Sequence, residues 1–175
     1  KCFFRTQADS TIRDFDFLAG SCALMNTGFS RFIFPGLSVS IFDHMKKQHS
    51  SFMVWLGDNI YYFSKHYNSY QGMFTRNLKI RNYFITLQQL LAAQPNYAIW
   101  DDHDYGWNDS DRKFPLKDSS MVVFKGFWPN PYQPEIFENY GSKESSKPDT
   151  LNANCFTFKY YDAEFFMTDD RYYRD

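Results

Sequence analysis

Residues 97–104, YAIWDDHD, combine an apolar run of strand type with three aspartates and one histidine that follow it directly. An earlier run, FMVWL at residues 52–56, ends in the same way at Gly57 and Asp58. Both runs are short and rich in aromatic and branched residues, which is typical of buried strands. Strands that end in charged groups are typical of α/β folds, which bind ligands beyond the carboxyl edge of the sheet. We therefore expect an α/β fold with a site at that edge.

The rest of the hydrophobic pattern predicts alternating strands and helices. Four segments have strand character beside FMVWL, the last two as a hairpin: residues 15–19, 97–100, 155–160 and 164–167. Apolar residues recur at helical spacing in three others, two of which are followed by proline: residues 39–47, 77–93 and 118–127. The polar, turn-rich residues 140–154 predict a loop.

The composition excludes several classes of protein. A chain of 175 residues has the size of one domain, and its aromatic content of 21% is far above that of a disordered segment. The formal net charge of −1 provides no positive field, so we expect no nucleic acid as an obligate partner. No run of about eighteen apolar residues occurs, so no transmembrane segment is predicted.

The first candidate for chemistry is the turn Gly57-Asp58, with Tyr61 three residues after the acid. Glycine permits a tight turn after the strand, the Asp oxygens can bridge two cations, and a phenolate suits a trivalent iron. Taken alone, this spacing is more often an ordinary strand-ending turn with a solvated Asp and a core Tyr.

The second candidate is the acidic run at Asp101, Asp102, His103 and Asp104, which Asn108 follows. Like charges this close disfavour one another's ionisation, so a bound cation is the economical explanation. The alternative is a solvated acidic loop, but the apolar strand before it anchors this loop to the core.

The third candidate is Cys22, in a Gly-Ser-Cys turn that follows the predicted strand at residues 15–19. A thiolate there can bind a metal, whereas the commoner role of a lone cysteine is that of a small buried side chain. The chain's three cysteines cannot all be paired with one another.

Taken together and in order, these motifs resemble the calcineurin-like metallophosphoesterase superfamily, whose metal ligands lie on consecutive strand ends. The G-D-x-x-Y pattern resembles purple acid phosphatases and PhoD-like (alkaline phosphatase D) enzymes. Four segments narrow the resemblance to the PhoD-like family and span nearly the whole chain: GSC, VWLGDNIYY, YAIWDDHDYGWNDSD and FFMTDDRYYR.

The resemblance implies a centre with two metal ions. Cys22, Asp58 and Tyr61 match the family's ligands for ferric iron (Fe³⁺), with Asp58 bridging to a second cation such as Ca²⁺. Asp102 stands where related phosphoesterases have a metal-binding Asn. Asn108 and Asp101 are further candidates for the calcium side.

The resemblance also implies roles in catalysis. His103 stands where the family places the histidine that meets the phosphoryl group or the leaving oxygen. Asp104 would then lie behind His103 and orient it. Asp169 and Arg171 match the family's D-x-R segment, in which Arg171 either holds phosphate oxygens or pairs with an acid inside the protein.

The implied fold is an αββα sandwich of the metallophosphoesterase type, of which this chain is the N-terminal part of the catalytic domain. Residues 1–12 would end, or lead from, an N-terminal β-sandwich domain that the chain lacks. Residues 13–175 would be a partial catalytic domain whose C-terminal part is missing. This fragment by itself is expected to be inactive.

The implied function is metal-dependent hydrolysis of phosphoric esters, with water activated by the metal centre. One alternative is a phospholipase D-like phosphodiesterase that uses the same centre. An alternative of another class is a binding module without catalysis, with a surface formed by Trp107, Phe127, Trp128 and Tyr132. By resemblance the protein would be exported, with a phosphate ester as its substrate.

Overall fold

The computed structural model describes residues 14–25, 40–131 and 153–175. Its strands are β1 (Phe17–Gly20), β2 (Phe52–Leu56), β3 (Asn96–Ile99), β4 (Phe156–Tyr160) and β5 (Ala163–Met167). Its helices are α1 (Ser40–Lys46), α2 (Ser64–Tyr67), α3 (Tyr70–Tyr83), α4 (Ile85–Ala93), α5 (Asp102–Tyr105) and α6 (Lys117–Phe127). None of these helices has the length and apolar character needed to cross a membrane.

The centre of the fold is a parallel sheet with the strand order β1-β2-β3. Phe17 pairs with Phe52, and Leu56 pairs with Ile99 at the other end of the sheet. Because parallel strands end at the same edge, the residues that follow β1, β2 and β3 meet there. The predicted α/β fold is confirmed, its central sheet is parallel, and Cys22, Asp58 and Asp102 follow its strands at the carboxyl edge.

The two faces of the sheet are covered by different elements. Met53 and Trp55 of β2 belong to the larger apolar core, which the helices supply. Phe52 and Val54, on the opposite face, pack against Phe156 and other apolar residues of the β4–β5 hairpin. Alternating side chains of β2 therefore fill two cores, and all four are buried.

The predicted helix at residues 77–93 is wrong in its bounds and in its continuity. The structure has two helices, α3 and α4, separated at Phe84, whose ψ of 93° is extended. Helix α3 begins at Tyr70 because the Ser69 hydroxyl accepts a hydrogen bond from the Gly72 amide, at 3.0 Å. The apolar spacing continues across the break, so periodicity alone did not reveal it.

The other predicted elements differ from the structure at their ends only. Strand β1 begins two residues later than predicted, at Phe17, and the strand predicted at residues 97–100 spans Asn96–Ile99. The segments predict a hairpin that turns at residues 161–163, and the structure turns at Tyr161 and Asp162, with Ala163 already in β5. Residues 1–12 and most of the loop predicted at residues 140–154 lie outside the described ranges.

Candidate metal centre

The turn after β2 requires glycine at position 57. Gly57 has a φ of +91°, a conformation that residues with a Cβ rarely adopt. A Cβ on Gly57 would also lie only 2.6 Å from the Cβ of Asp101, in the turn that follows β3. The glycine therefore allows the two turns to approach each other. Asp58 and Cys22 are left-handed as well, with φ values of 54° and 58°.

Three predicted site residues converge at this edge: Asp58, Asp102 and His103. One possible ligand atom from each lies within 4.8 Å of the others. Both acids are 7% exposed, and His103 is half-buried. The His103 amide donates to Asp58 Oδ1 at 3.3 Å and to Asp102 Oδ1 at 3.0 Å, which joins the two turns directly.

Cys22 and Tyr61 complete the cluster on the side of Asp58. The Cys22 thiol lies 3.6 Å from Asp58 Oδ2, and the Tyr61 hydroxyl donates to the same oxygen at 3.0 Å. The Tyr61 ring stacks on the His103 ring with their centroids 4.3 Å apart. The structure therefore brings together Cys22, Asp58, Tyr61, Asp102 and His103, as the strand-end arrangement predicted.

The electrostatics of the two acids differ. Burial raises the pKa of Asp58, which the Tyr61 hydrogen bond and His103 offset only in part. Burial also acts to raise the pKa of Asp102, but the backbone N–H of Asp109 and the nearby His103 and Arg171 side chains outweigh it, so that pKa is lowered. Burial and the bond to Asp58 raise the pKa of the Tyr61 hydroxyl.

The donor set fits a metal cation. His103 Nδ1 is buried and has no hydrogen-bond partner among the described residues. Beside it lie two carboxylates, a thiol and a phenol, which together offer hard oxygen ligands and softer nitrogen and sulfur ligands. A cation in this cluster would compensate the like charges of Asp58 and Asp102 and would give the buried nitrogen a partner.

Asp104 does not orient His103 as the resemblance implied. Its carboxylate is fully buried, and it accepts hydrogen bonds from the backbone amides of Asn59, Ile60 and Asp101. The imidazole Nδ1 donates no hydrogen bond to it. Asp104 supports the site through the backbone of the two turns instead.

Arg171 pairs with an acid inside the protein, the second of the two roles considered for it. Its side chain is 8% exposed, and both Nε and Nη2 donate to Asp101 Oδ1. Asp101 also begins α5, where its Oδ1 accepts from the Asp102 amide at 2.9 Å. The guanidinium is therefore committed to holding the turn after β3.

Asp169 and Asn108 lie around the cluster without contacting its side chains. Asp169 accepts bonds from the Trp100 indole and from the backbone N–H groups of Asn154, Arg171 and Tyr172, so it fixes the C-terminal segment to β3. Asn108 is exposed, and its amide donates to Asp109 Oδ2 at 2.6 Å. Its place among the metal ligands stays a prediction.

Two contributions to the site were not foreseen from the sequence. The Asp109 amide donates to Asp102 Oδ2, and the Asn59 side chain donates to the Ile99 carbonyl oxygen at 2.8 Å. Both are bonds between a side chain and the backbone, which residue type and spacing do not reveal. A left-handed Asp109, with a φ of 57°, turns its amide toward Asp102.

Of the four aromatic residues considered for a binding surface, the three that the structure describes do not form one common surface. Trp128 is 5% exposed and belongs to the core, and Phe127 is packed against that core. Trp107 is 39% exposed and makes edge contacts with Phe114 and Tyr67. Tyr132 lies outside the described ranges.

The fold was compared with known proteins. No family model matches the sequence, and no curated protein matches it. Among solved structures, one described as "Structure of PhoD" superposes with a TM-score of 0.62 over 91% of this chain, at 21% sequence identity. The aligned part is 32% of that chain, so this protein spans about a third of its length. The resemblance to PhoD that the motifs indicated is thus confirmed as a likeness of fold.

Proposed function

We propose that this chain is the metal-binding part of a PhoD-like phosphoric ester hydrolase. The observation that carries the proposal is the convergence of Asp58, Asp102 and His103 within 4.8 Å at the carboxyl edge of the sheet. Ligand sites of open α/β sheets occur at this edge. The likeness of fold to PhoD supports the same activity from an independent direction.

The site residues fall into two groups: those that would bind the metal ions and those that would act on the ester. Asp58 would bridge two cations, with Cys22 and Tyr61 on one side and Asp102 on the other. We propose Fe³⁺ for the Cys22 and Tyr61 side, since thiolate and phenolate are anionic ligands, and Ca²⁺ for the carboxylate side. When bound, such ions polarise phosphoryl oxygens and lower the pKa of water.

The chain's own groups would position the ester around these ions. His103 lies against the Tyr61 ring, which limits the tilt of the imidazole. From this position we propose that His103 donates a hydrogen bond to a phosphoryl or leaving oxygen, which stabilises the charge that develops there. Arg171 is not assigned to the phosphate, because Asp101 occupies its guanidinium.

The test is hydrolysis of an aryl phosphate monoester and of a bis(aryl) phosphate by the full-length protein loaded with Fe³⁺ and Ca²⁺. We expect Asp58→Asn and Asp102→Ala each to retain less than a tenth of the wild-type rate, a cost above ~1.4 kcal/mol. Retention of more than that would contradict the assigned roles.

The comparison of the two substrates also separates the alternatives. Faster turnover of the diester would assign the same centre to a phosphodiesterase. Metal binding without turnover of either ester would indicate a binding module that has kept the fold.

A further inference from the structure

The buried carboxylate of Asp104 joins the two turns that carry the candidate ligands. Asp104 is fully buried, and its carboxyl group accepts hydrogen bonds from backbone amides of the two turns. Oδ1 accepts from the Ile60 amide at 3.0 Å, and Oδ2 accepts from the Asn59 and Asp101 amides, each at 3.1 Å. One side chain therefore binds the backbone of both turns.

These three donors lie beside ligands on both sides. Asn59 and Ile60 occupy the two positions between Asp58 and Tyr61, and Asp101 directly precedes Asp102. The bonds to Asn59 and Ile60 reach across 45 and 44 positions of sequence. Asp104 thus limits how far the turn after β2 can move from the turn after β3.

Helix capping alone does not account for this arrangement. Of the bonds that the Asp104 side chain accepts, the capping box on α5 uses only the one from the Asp101 amide. The two further bonds go to a different segment of the chain and add nothing to the helix. Three backbone N–H groups from two segments donate to this one side chain, so the contact links the backbones of the two turns.

We propose that Asp104 is a positioning residue that sets the separation between Asp58 and the Asp102–His103 pair before a metal binds. The inference rests on the proposed function, since it concerns the same site. Asp58 and Asp102 repel each other in the absence of a cation, and the Asp104 bonds hold their backbones together against that repulsion. Metal affinity, and not stability alone, then depends on Asp104.

The test compares Asp104→Asn with a matched control, Asn96→Ala, in the full-length protein. The Asp104→Asn substitution keeps the shape of the side chain but presents an N–H₂ group where the carboxylate now accepts from a backbone N–H. Asn96 lies at the start of β3, far from the site edge, and also makes three hydrogen bonds, with Trp55, Leu91 and Gln94. Both variants should lower the thermal stability.

The probe is Mn²⁺ alone, and its free concentration is followed by electron paramagnetic resonance during titration. We expect Asp104→Asn to weaken Mn²⁺ binding by about tenfold or more, and Asn96→Ala to change it by less than about twofold. If the wild type binds Mn²⁺ and Asp104→Asn binds it equally well, the positioning role is overturned while the proposed function stands. If the wild type binds no Mn²⁺ and no Fe³⁺, the proposed function itself fails.

A second measurement needs no variant. In the metal-free wild type, the amide protons of Asn59 and Ile60 should exchange slowly with solvent, because Asp104 binds both. Slow exchange before metal addition supports a site that is positioned in advance. If these amide protons instead exchange as fast as those of an open loop, and slow down only after Mn²⁺ is added, the inference is overturned. This result does not depend on whether the Asp104→Asn variant folds.

Discussion

The two ends of the parallel sheet differ in the charge that is buried there. At the amino end, the polar contacts join neutral groups: Ser50 donates to Gln94 Oε1, and Trp55 donates to Asn96 Oδ1. At the carboxyl end, four aspartates lie in two adjacent turns: Asp58, Asp101, Asp102 and Asp104. This end also holds four residues with positive φ, namely Cys22, Gly57, Asp58 and Asp109, against one in the described segment that leads into β2 at the amino end, His49.

Folding alone accounts for the amino end but not for the carboxyl end. Neutral hydrogen bonds there satisfy buried polar groups at little cost. Positive φ at Cys22 and Asp58, together with like charges close together, lowers the stability of the carboxyl end. Strain and charge of this kind persist where a function requires them. We infer that the carboxyl end is shaped by ligand binding.

The largest expected effect on stability is that of Gly57→Ala, which changes the turn at the carboxyl end of the sheet. The new Cβ would meet Asp101, and φ at position 57 would be unfavourable, so we expect a loss of about 2–4 kcal/mol in the free energy of unfolding. Displacement of Asp58 should also abolish Mn²⁺ binding. Denaturant unfolding and a Mn²⁺ titration measure the two effects.

The matched control is Gly126→Ala, near the end of α6. A Cβ there would have no neighbour within 4 Å, and alanine favours helix by about 0.5–1 kcal/mol. A stability gain at position 126 beside a large loss at position 57 would sharpen the contrast. Equal effects at both glycines would remove the argument for strain at the site.

The next largest effect is expected at Arg171. The sequence left two roles open for this residue: binding of phosphate oxygens, or an ion pair with an acid inside the protein. Arg171→Met leaves Asp101 without its partner, and since that acid is one third exposed we expect a loss of about 2 kcal/mol in stability. Asp101→Asn combined with Arg171→Met should lose less than the sum of the single changes. A double-mutant cycle of urea unfolding measures this coupling.

Kinetics decide the same question independently. With Asp101 as its partner, Arg171 contributes to stability, and folded Arg171→Met should keep the wild-type KM for an aryl phosphate. A KM raised more than about tenfold in the folded variant would assign Arg171 to the phosphate after all.

The smallest effect is a pH dependence that belongs to His66. Burial lowers the pKa of His66 to about 4, and its Nδ1 accepts from the Phe63 amide at 3.1 Å. The unfolded chain binds this proton near pH 6.5 and the folded chain does not, so stability present above pH 6.5 is lost as pH falls toward 4.

The variant His66→Gln keeps an acceptor for the Phe63 amide but does not titrate. Thermal unfolding of the variant should depend less on pH between 4 and 6.5 than that of the wild type. This separates the acid sensitivity of α2 from that of the metal centre, whose ligands also take up protons in acid. An unchanged pH profile would place all of the acid sensitivity in the carboxylate cluster.

The sequence predicted the positions of the candidate metal ligands better than it predicted the hydrogen bonds that hold their turns in place. Asp58 and Asp102 follow short apolar runs whose length and aromatic and branched residues identify a strand, so their place at the sheet edge follows from local pattern. The partners of Asp104 and Arg171 did not follow, because they depend on which distant segments come into contact. The Arg171–Asp101 bond joins residues 70 positions apart.

The sequence by itself determined the buried β2 strand, the alternation of strands with the longer helical segments, and the acids that end the strands. These features depend on hydrophobic periodicity and turn residues, which act over a few neighbouring positions. Only the tertiary structure decided the break at Phe84 and the Asn130 side chain that binds both backbone groups of Ala98 at the edge of β3. Such contacts join segments distant in sequence, and which ones form depends on how the whole chain packs.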